Sequence, residues 1–249
     1  MNLTNVIAER PDKTVYRDGA LGIKVFHKEY SAADVLNEAL NMAIVSETGF
    51  RVPQLHEVCK VDGLWAIVMD YVEGETLAQI MQREPNKKEE CIARLVEIQM
   101  QMHRYSAPRL RHHTDKMRDK IAKNGLDATV RYELHTRLEG LPKHNKLCHG
   151  DLSPSNIIIM PNGEACVLDW AHATQGNGGA DAARTYMLFR LAGEHANAEE
   201  YMRRFCRESD TARQYIQKWL AVVAASQMVK GNPEERDFLL SWANVVEYQ

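Results

Sequence analysis

At 249 residues the chain can bury a substantial core, as one large domain or as two lobes. With 45% hydrophobic and 26% charged residues its composition is that of an ordinary globular protein, and a net charge of -3 gives no electrostatic reason to expect nucleic acid or an anionic membrane as partner. Cys59, Cys91, Cys148, Cys166 and Cys206 form no CxxC pair and no zinc-ligand spacing, "MNLTNVIAERPDK" has no signal-like apolar run, and "WLAVVAAS" is too short to span a bilayer, so the expectation is a soluble cytoplasmic protein with reduced thiols.

The first part alternates like a sheet. "TVYR", Asp18-Gly19 and "LGIKVF" read as a hairpin, because Asp-Gly suits a two-residue turn. "SAADVLNEALNMAIVSETG" reads as a helix capped by Ser31 and stopped by Gly49. "QLHEVCKVDGLWAIVMDYV" is a second hairpin, turning at Asp62-Gly63. From about Thr76 to Leu138 the periodicity is helical, with breaks near Pro108 and Gly125. One further hairpin, "NIIIMPNGEACVLDW", precedes a helical pattern that runs from Asp181 to the end, broken at Gly231-Asn232-Pro233. The expected class is α+β: a small sheet lobe over residues 1–73, a connector near Tyr71 to Gly74, and a larger helical lobe over 74–249. Lobes joined in this way leave a cleft, a favoured place for ligands.

The third hairpin carries the chemistry. If Asn162 and Gly163 are its central turn residues, Pro161 faces Glu164 and Asn156 faces Asp169. Directly opposed residues have Cβ atoms about 4.5–5.5 Å apart. An amide oxygen and a carboxylate so placed are hard ligands suited to magnesium and the phosphates it carries. Asp151, five residues before Asn156, is expected at the same open end. Either residue alone could simply terminate a strand. The matched set favours a site.

Two charges in the first lobe add to it. Glu38 falls in the helical stripe Val35, Glu38, Met42, Val45, where an apolar residue is expected. A carboxylate facing a packed surface needs a partner. Lys24, within "LGIKVF" and on the strand face opposite Leu21, Ile23 and Val25, is the candidate, although a lone strand lysine is usually solvated.

At "HGDLSPSN" and the later "LDW" the sequence resembles the aminoglycoside phosphotransferases, choline kinases and related kinases of protein-kinase-like, bilobal fold. The stretch "LDWAHATQGN" also resembles a bacterial group of kinases without an assigned substrate. The resemblance implies ATP and magnesium as cofactors. It implies that Asp151 accepts or orients the proton of an attacking hydroxyl and that Asn156 and Asp169 hold the metal. It implies that Lys24, held by Glu38, contacts the α- and β-phosphates, and that the backbone near Asp70 and Val72 receives the adenine. His149 would brace the catalytic loop. Asp181, which could equally be a helix N-cap, would steady that loop.

The pattern departs from protein kinases in two respects. No glycine-rich fingerprint precedes Lys24; Lys13 and Thr14 are candidates to cover the phosphates, with a polar turn the plainer reading. Only "WAHATQGNGGA" separates Asp169 from Asp181, too short a segment to seat a peptide. Both features favour a small hydroxylated acceptor over a protein. From Arg190 onward there are eight Lys or Arg and nine Asp or Glu, so no carboxylate excess marks a site for a polycation. Trp170, His172, Trp219 and Trp242 could line a pocket, or be core. A protein kinase, or a silent nucleotide-binding protein on the same fold, stays open as an alternative; no nucleic-acid or membrane partner is expected.

Overall fold

A computed structural model describes residues 1–243; the last part of the helical pattern expected to the chain end, 244–249, lies outside the described residues. In chain order the elements are β1 (Val6–Arg10), β2 (Lys13–Asp18), β3 (Leu21–Phe26), α1 (Ala32–Glu47), β4 (Leu55–Val61), β5 (Leu64–Asp70), β6 (Glu75–Thr76) and α2 (Leu77–Arg83). There follow α3 (Lys88–Met102), α4 (His113–Lys123), α5 (Ala128–Gly140), β7 (Lys146–Cys148), β8 (Ile157–Ile159) and β9 (Ala165–Val167). The chain continues through β10 (Thr174–Gly176), α6 (Gly178–Leu191), α7 (His195–Ser209), α8 (Arg213–Gln227) and α9 (Pro233–Ala243). The class is α+β. Packing gives two compact units: Met1–Arg83 with Pro154–Ala173, and Glu84–Ser153 with the chain from Thr174 onward. Chain order alone set the boundary at 73/74; packing groups the third hairpin with the unit that holds the sheet.

The first unit is an antiparallel sheet in the order β1-β2-β3-β5-β4 with α1 packed on it. Asp62 and Gly63 turn the second hairpin, both with positive φ (51° and 80°), as a type I′ turn needs. In the first hairpin Asp18 pairs with Leu21, so the turn residues are Gly19 and Ala20, one later than the sequence reading. β1 was not expected at all, because all five of its residues are exposed and it shows no alternation. α1 begins at Ser31, whose side chain accepts from the Asp34 N–H, and ends ahead of Gly49 at φ +84°.

The third hairpin differs in register from the expectation. Ile157 pairs with Val167, Ile158 with Cys166 and Ile159 with Ala165, and Met160 donates to the Glu164 carbonyl. The loop is therefore Pro161-Asn162-Gly163, with Gly163 at φ +81° closing a three-residue connection. Asn156 lies opposite Leu168, whose N–H it accepts at 2.8 Å, and Asp169 lies one residue beyond. β6 adds to this hairpin through β8.

The second unit is helical, with β7 and β10 as a two-stranded ribbon. Its core runs through α8, where Ile216, Trp219, Leu220 and "AVVAAS" are all buried against α4, α6 and α9. α6 starts at Asn177, whose side chain accepts from the Gly179 N–H, so Asp181 is not its N-cap. No helix among the described residues is long and apolar enough to cross a membrane.

Candidate active site

The sheet unit gathers four charges. β3 is buried on both faces: Ile23 and Val25 pack with Ala66 and Val68, while Lys24, at 4% exposure, turns to the α1 side. There the Lys24 ammonium donates to Glu38 and, at 3.1 Å, to Asp169 Oδ1. Lys13 reaches Asp169 Oδ2 at 2.9 Å. Two lysines and two carboxylates thus sit together, which offsets a desolvation cost that none of them could bear singly. Burial works to raise the Asp169 carboxyl, but Lys24 and Lys13 outweigh it and hold the group well below the usual carboxylate range. Burial pushes the Glu38 carboxyl up against the pull of Lys24. Lys13 is held above its ordinary value; burial opposes this, and Asp169 and Glu38 overcome it.

Local structure fixes where Asp169 points. It adopts a left-handed conformation (φ +64°), which Asp tolerates better than most residues, at the start of the turn Trp170–His172. Trp170 is a buried plug: its indole N–H donates to the Val167 carbonyl at 2.9 Å and its ring meets Phe50 edge-on at 5.8 Å. Asn41 on α1 donates to the Trp170 carbonyl at 3.1 Å. One helix therefore carries Glu38 and also holds the turn that follows Asp169. Trp170 and Trp219 are core residues and not pocket walls.

At the connector, the Asp70 N–H is taken by the Gln54 carbonyl and its carboxylate meets His56 at 2.7 Å. The Val72 N–H and C=O take no backbone partner among the described residues.

Asp151 belongs to the helical unit, on the loop after β7. His149 is fully buried and accepts the Asp151 N–H at 3.2 Å through Nδ1, so it braces the loop as expected. Gly150 at φ +77° turns its N–H to Asp181 Oδ1 at 2.7 Å. Thr185 donates to the Leu152 carbonyl at 3.1 Å. Arg184 donates to Asp151 Oδ1 at 2.8 Å. Asp181 in turn accepts from Gln99 and His103, each at 3.0 Å. Burial acts to raise the Asp181 carboxyl, yet these donors hold it at about 2.

Sequence reasoning missed Arg184, Gln99, His103 and Asn41; it named Lys13 as a candidate to cover the phosphates, with a polar turn as the plainer reading, and did not foresee its pairing with Asp169. The signal for Arg184 was present: it is the one basic residue in the buried run from Gly178 to Met187, the same anomaly that marked Glu38.

The sequence profile of the phosphotransferase enzyme family, APH, matches residues 12–215. The chain belongs to that family. No curated protein sequence matches it significantly. Among solved structures, an aminoglycoside-3'-phosphotransferase of type VIII aligns with a TM-score of 0.65 at 18% identity, covering 92% of each chain. A thermostable mutant of aminoglycoside phosphotransferase APH(4)-Ia aligns at 0.69 and 16%, covering 95% of this chain and 91% of that one. A choline/ethanolamine kinase family protein from Mesorhizobium loti aligns at 0.61 and 19%, covering 96% and 80%. This phosphotransferase-family chain thus has the kinase-like fold that its "HGDLSPSN" loop implied.

Proposed function

We propose that the protein is an ATP- and magnesium-dependent phosphotransferase whose acceptor is the hydroxyl of a small molecule. The observation that carries the reading is Lys24, buried on β3 and shared between Glu38 and Asp169. A buried lysine with two acids has no need to be there for the sheet; it suits polyphosphate contact. Two of the structural neighbours carry matching ligands: APH(4)-Ia is described in ternary complex with AMP-PNP and hygromycin B, and with ADP and hygromycin B.

In this reading the Val72 backbone groups, which take no backbone partner among the described residues, receive the adenine, next to Asp70. Lys24, oriented by Glu38, contacts the α- and β-phosphates, and Lys13 lies close enough to Asp169 to join it at the phosphates. Asn156 and Asp169 supply the oxygen donors for magnesium. They fit it, since Asp169 stays ionised at neutral pH and both are hard oxygen ligands. The metal, when bound, neutralises phosphate charge. Asp151 takes the proton as the acceptor oxygen bonds to the γ-phosphorus and the bond to the β–γ bridging oxygen breaks, releasing ADP. We assign the protein to the cytoplasm, a reading in keeping with its five free cysteines and its proposed use of ATP.

The test is to incubate the protein with ATP and diverse alcohols, find the acceptor by mass shift, and compare Asp151→Asn on it. Loss of turnover with retained nucleotide binding supports the reading. Robust labelling of generic proteins, with no small acceptor found, overturns it.

A further inference from the structure

α4 carries two charge pairs, each spaced four residues apart and so each on one helix face. The acids lie outward and are used: Asp115 accepts from Arg118 at 2.9 Å and Asp119 from Arg111 at 2.5 Å. The bases, Lys116 and Lys120, come one position later in the helix. They are half-buried beside the packed residues Met117 and Ile121. Neither ammonium makes an ion pair or hydrogen bond among the described residues.

Their surroundings are cationic. Burial drives the Lys116 ammonium down to about 7, with Lys120, Arg111 and Arg184 adding to the effect and Asp151 opposing it. Burial likewise takes Lys120 down to about 8, with Arg184 and Lys230 adding and Asp151 opposing. Among the described residues Asp151 is the carboxylate that acts on both lysines, and it is already bonded to Arg184. Arg184 itself keeps Nη1 buried with no hydrogen-bond partner among the described residues. Half-buried cations in surplus, with an unsatisfied guanidinium N–H among them, require a counter-charge. A lysine pair on a solvated face would be a bland explanation, but such a pair would keep its water and would not gather around a single acid.

We propose that Lys116, Lys120 and Arg184 form the subsite for an anionic group of the acceptor, so that the substrate is an alcohol bearing a phosphate monoester or a carboxylate. The inference rests on the phosphotransferase reading, since Asp151 marks where the reacting hydroxyl lies. The two anions share the chemistry that recognises them, an oxyanion met by ammonium and guanidinium donors. The helical end of the chain agrees, having no excess of carboxylates for a polyamine.

The experiment uses the full chain with AMP-PNP, magnesium and a panel of sugars in matched sets: neutral parent, aldonic acid, phosphate monoester and amino sugar. Acylation of Lys116 and Lys120 by an amine-reactive reagent is followed by peptide mass spectrometry. At least one anionic member is expected to slow labelling of both lysines about tenfold relative to its neutral parent. Calorimetry should show its binding lost in Lys116→Met/Lys120→Met, kept in Lys116→Arg/Lys120→Arg, with AMP-PNP affinity within about twofold of the parent in both. Equal protection by neutral or amine members, or none by any anionic member, overturns the subsite. Replacing AMP-PNP by ATP separates the two claims. ATP-dependent phosphorylation confined to neutral or amine members removes the subsite and keeps the enzyme. Protection by an anion that no member's phosphorylation accompanies keeps the subsite and removes the enzyme.

Discussion

Arg184 donates from Nη2 to the Asp151 carboxylate at 2.8 Å while its Nε reaches the Gly150 carbonyl at 3.3 Å. One guanidinium on α6 thus fixes both the carboxylate and the peptide beside it. Asp181, one turn earlier, holds the Gly150 N–H from the same helix. A planar fork can make both Arg184 bonds at once, which a lysine ammonium on a flexible stem does less well. Arg184 is therefore a positioning residue for the proposed base.

Arg184→Met should lower kcat on the order of 10–100-fold, consistent with misplacing a proton acceptor. Nucleotide KM should stay unchanged, and Arg184→Lys should recover only part of the loss. Free guanidinium ion added to Arg184→Met should restore some turnover. A purely structural residue would show a lowered melting temperature and no such rescue.

Asp181 makes stability depend on acid. Its folded value of about 2 lies below the ordinary 3.8, so the stabilisation is complete above pH 4 and is lost as pH falls toward 2. The difference corresponds to on the order of 2 kcal/mol. Denaturant unfolding of the parent and Asp181→Asn should show the full gap at neutral pH. The gap should close between about pH 4 and pH 2. A gap that holds constant to pH 2 would mean that the carboxylate's charge does not contribute.

What the sequence revealed followed how local each signal is. Ser31, Gly49 and Asp62-Gly63 act within a few residues, and each was placed correctly. Glu38 was legible because a charge broke an apolar stripe. Asn-Gly in the third hairpin was ambiguous, since it can centre a two-residue turn or close a three-residue loop; the second holds, and shifts Asn156 to face Leu168. The Lys13–Asp169 pair joins residues 156 apart in sequence, and nothing local announces it. β1 is exposed along its whole length, so no burial pattern wrote it into the sequence.

Gly74 should tolerate no side chain. Its φ is +148°, and a Cβ there would lie 2.3 Å from the Ile159 carbonyl oxygen of β8. Gly74→Ala should destabilise by at least about 2 kcal/mol, because rigid backbone has to move. Gly163→Ala, where a Cβ meets nothing within 4 Å, should cost only the backbone strain, about 1 kcal/mol. Denaturant midpoints measured side by side decide it; equal losses would contradict the close approach.

Lys24 and Glu38 should be non-additive toward MgATP. Lys24→Met and Glu38→Gln each remove one end of the same buried pair, so the double variant should lose little more than Lys24→Met alone. A coupling of about 0.5–3 kcal/mol is the expected range for groups in contact. Strict additivity in a calorimetric cycle would mean that Glu38 does not orient Lys24 for the nucleotide.

Asp169 separates metal binding from charge balance. In the protein as it stands its carboxylate neutralises Lys13 and Lys24, and in the proposed function it is also a magnesium donor. Asp169→Asn keeps the size and removes the charge, which acts differently on the two nucleotide forms. MgATP should lose affinity, on the order of 100-fold, because a hard anionic ligand is gone. Metal-free ATP should lose none and can gain, since a negative charge beside its phosphates is removed and two lysines are released to meet them. The fold should survive with lowered stability, because Glu38 alone then balances both lysines. Calorimetric titrations with and without magnesium read the difference directly. Equal loss for both forms would show that Asp169 orders the lysines and does not hold the metal.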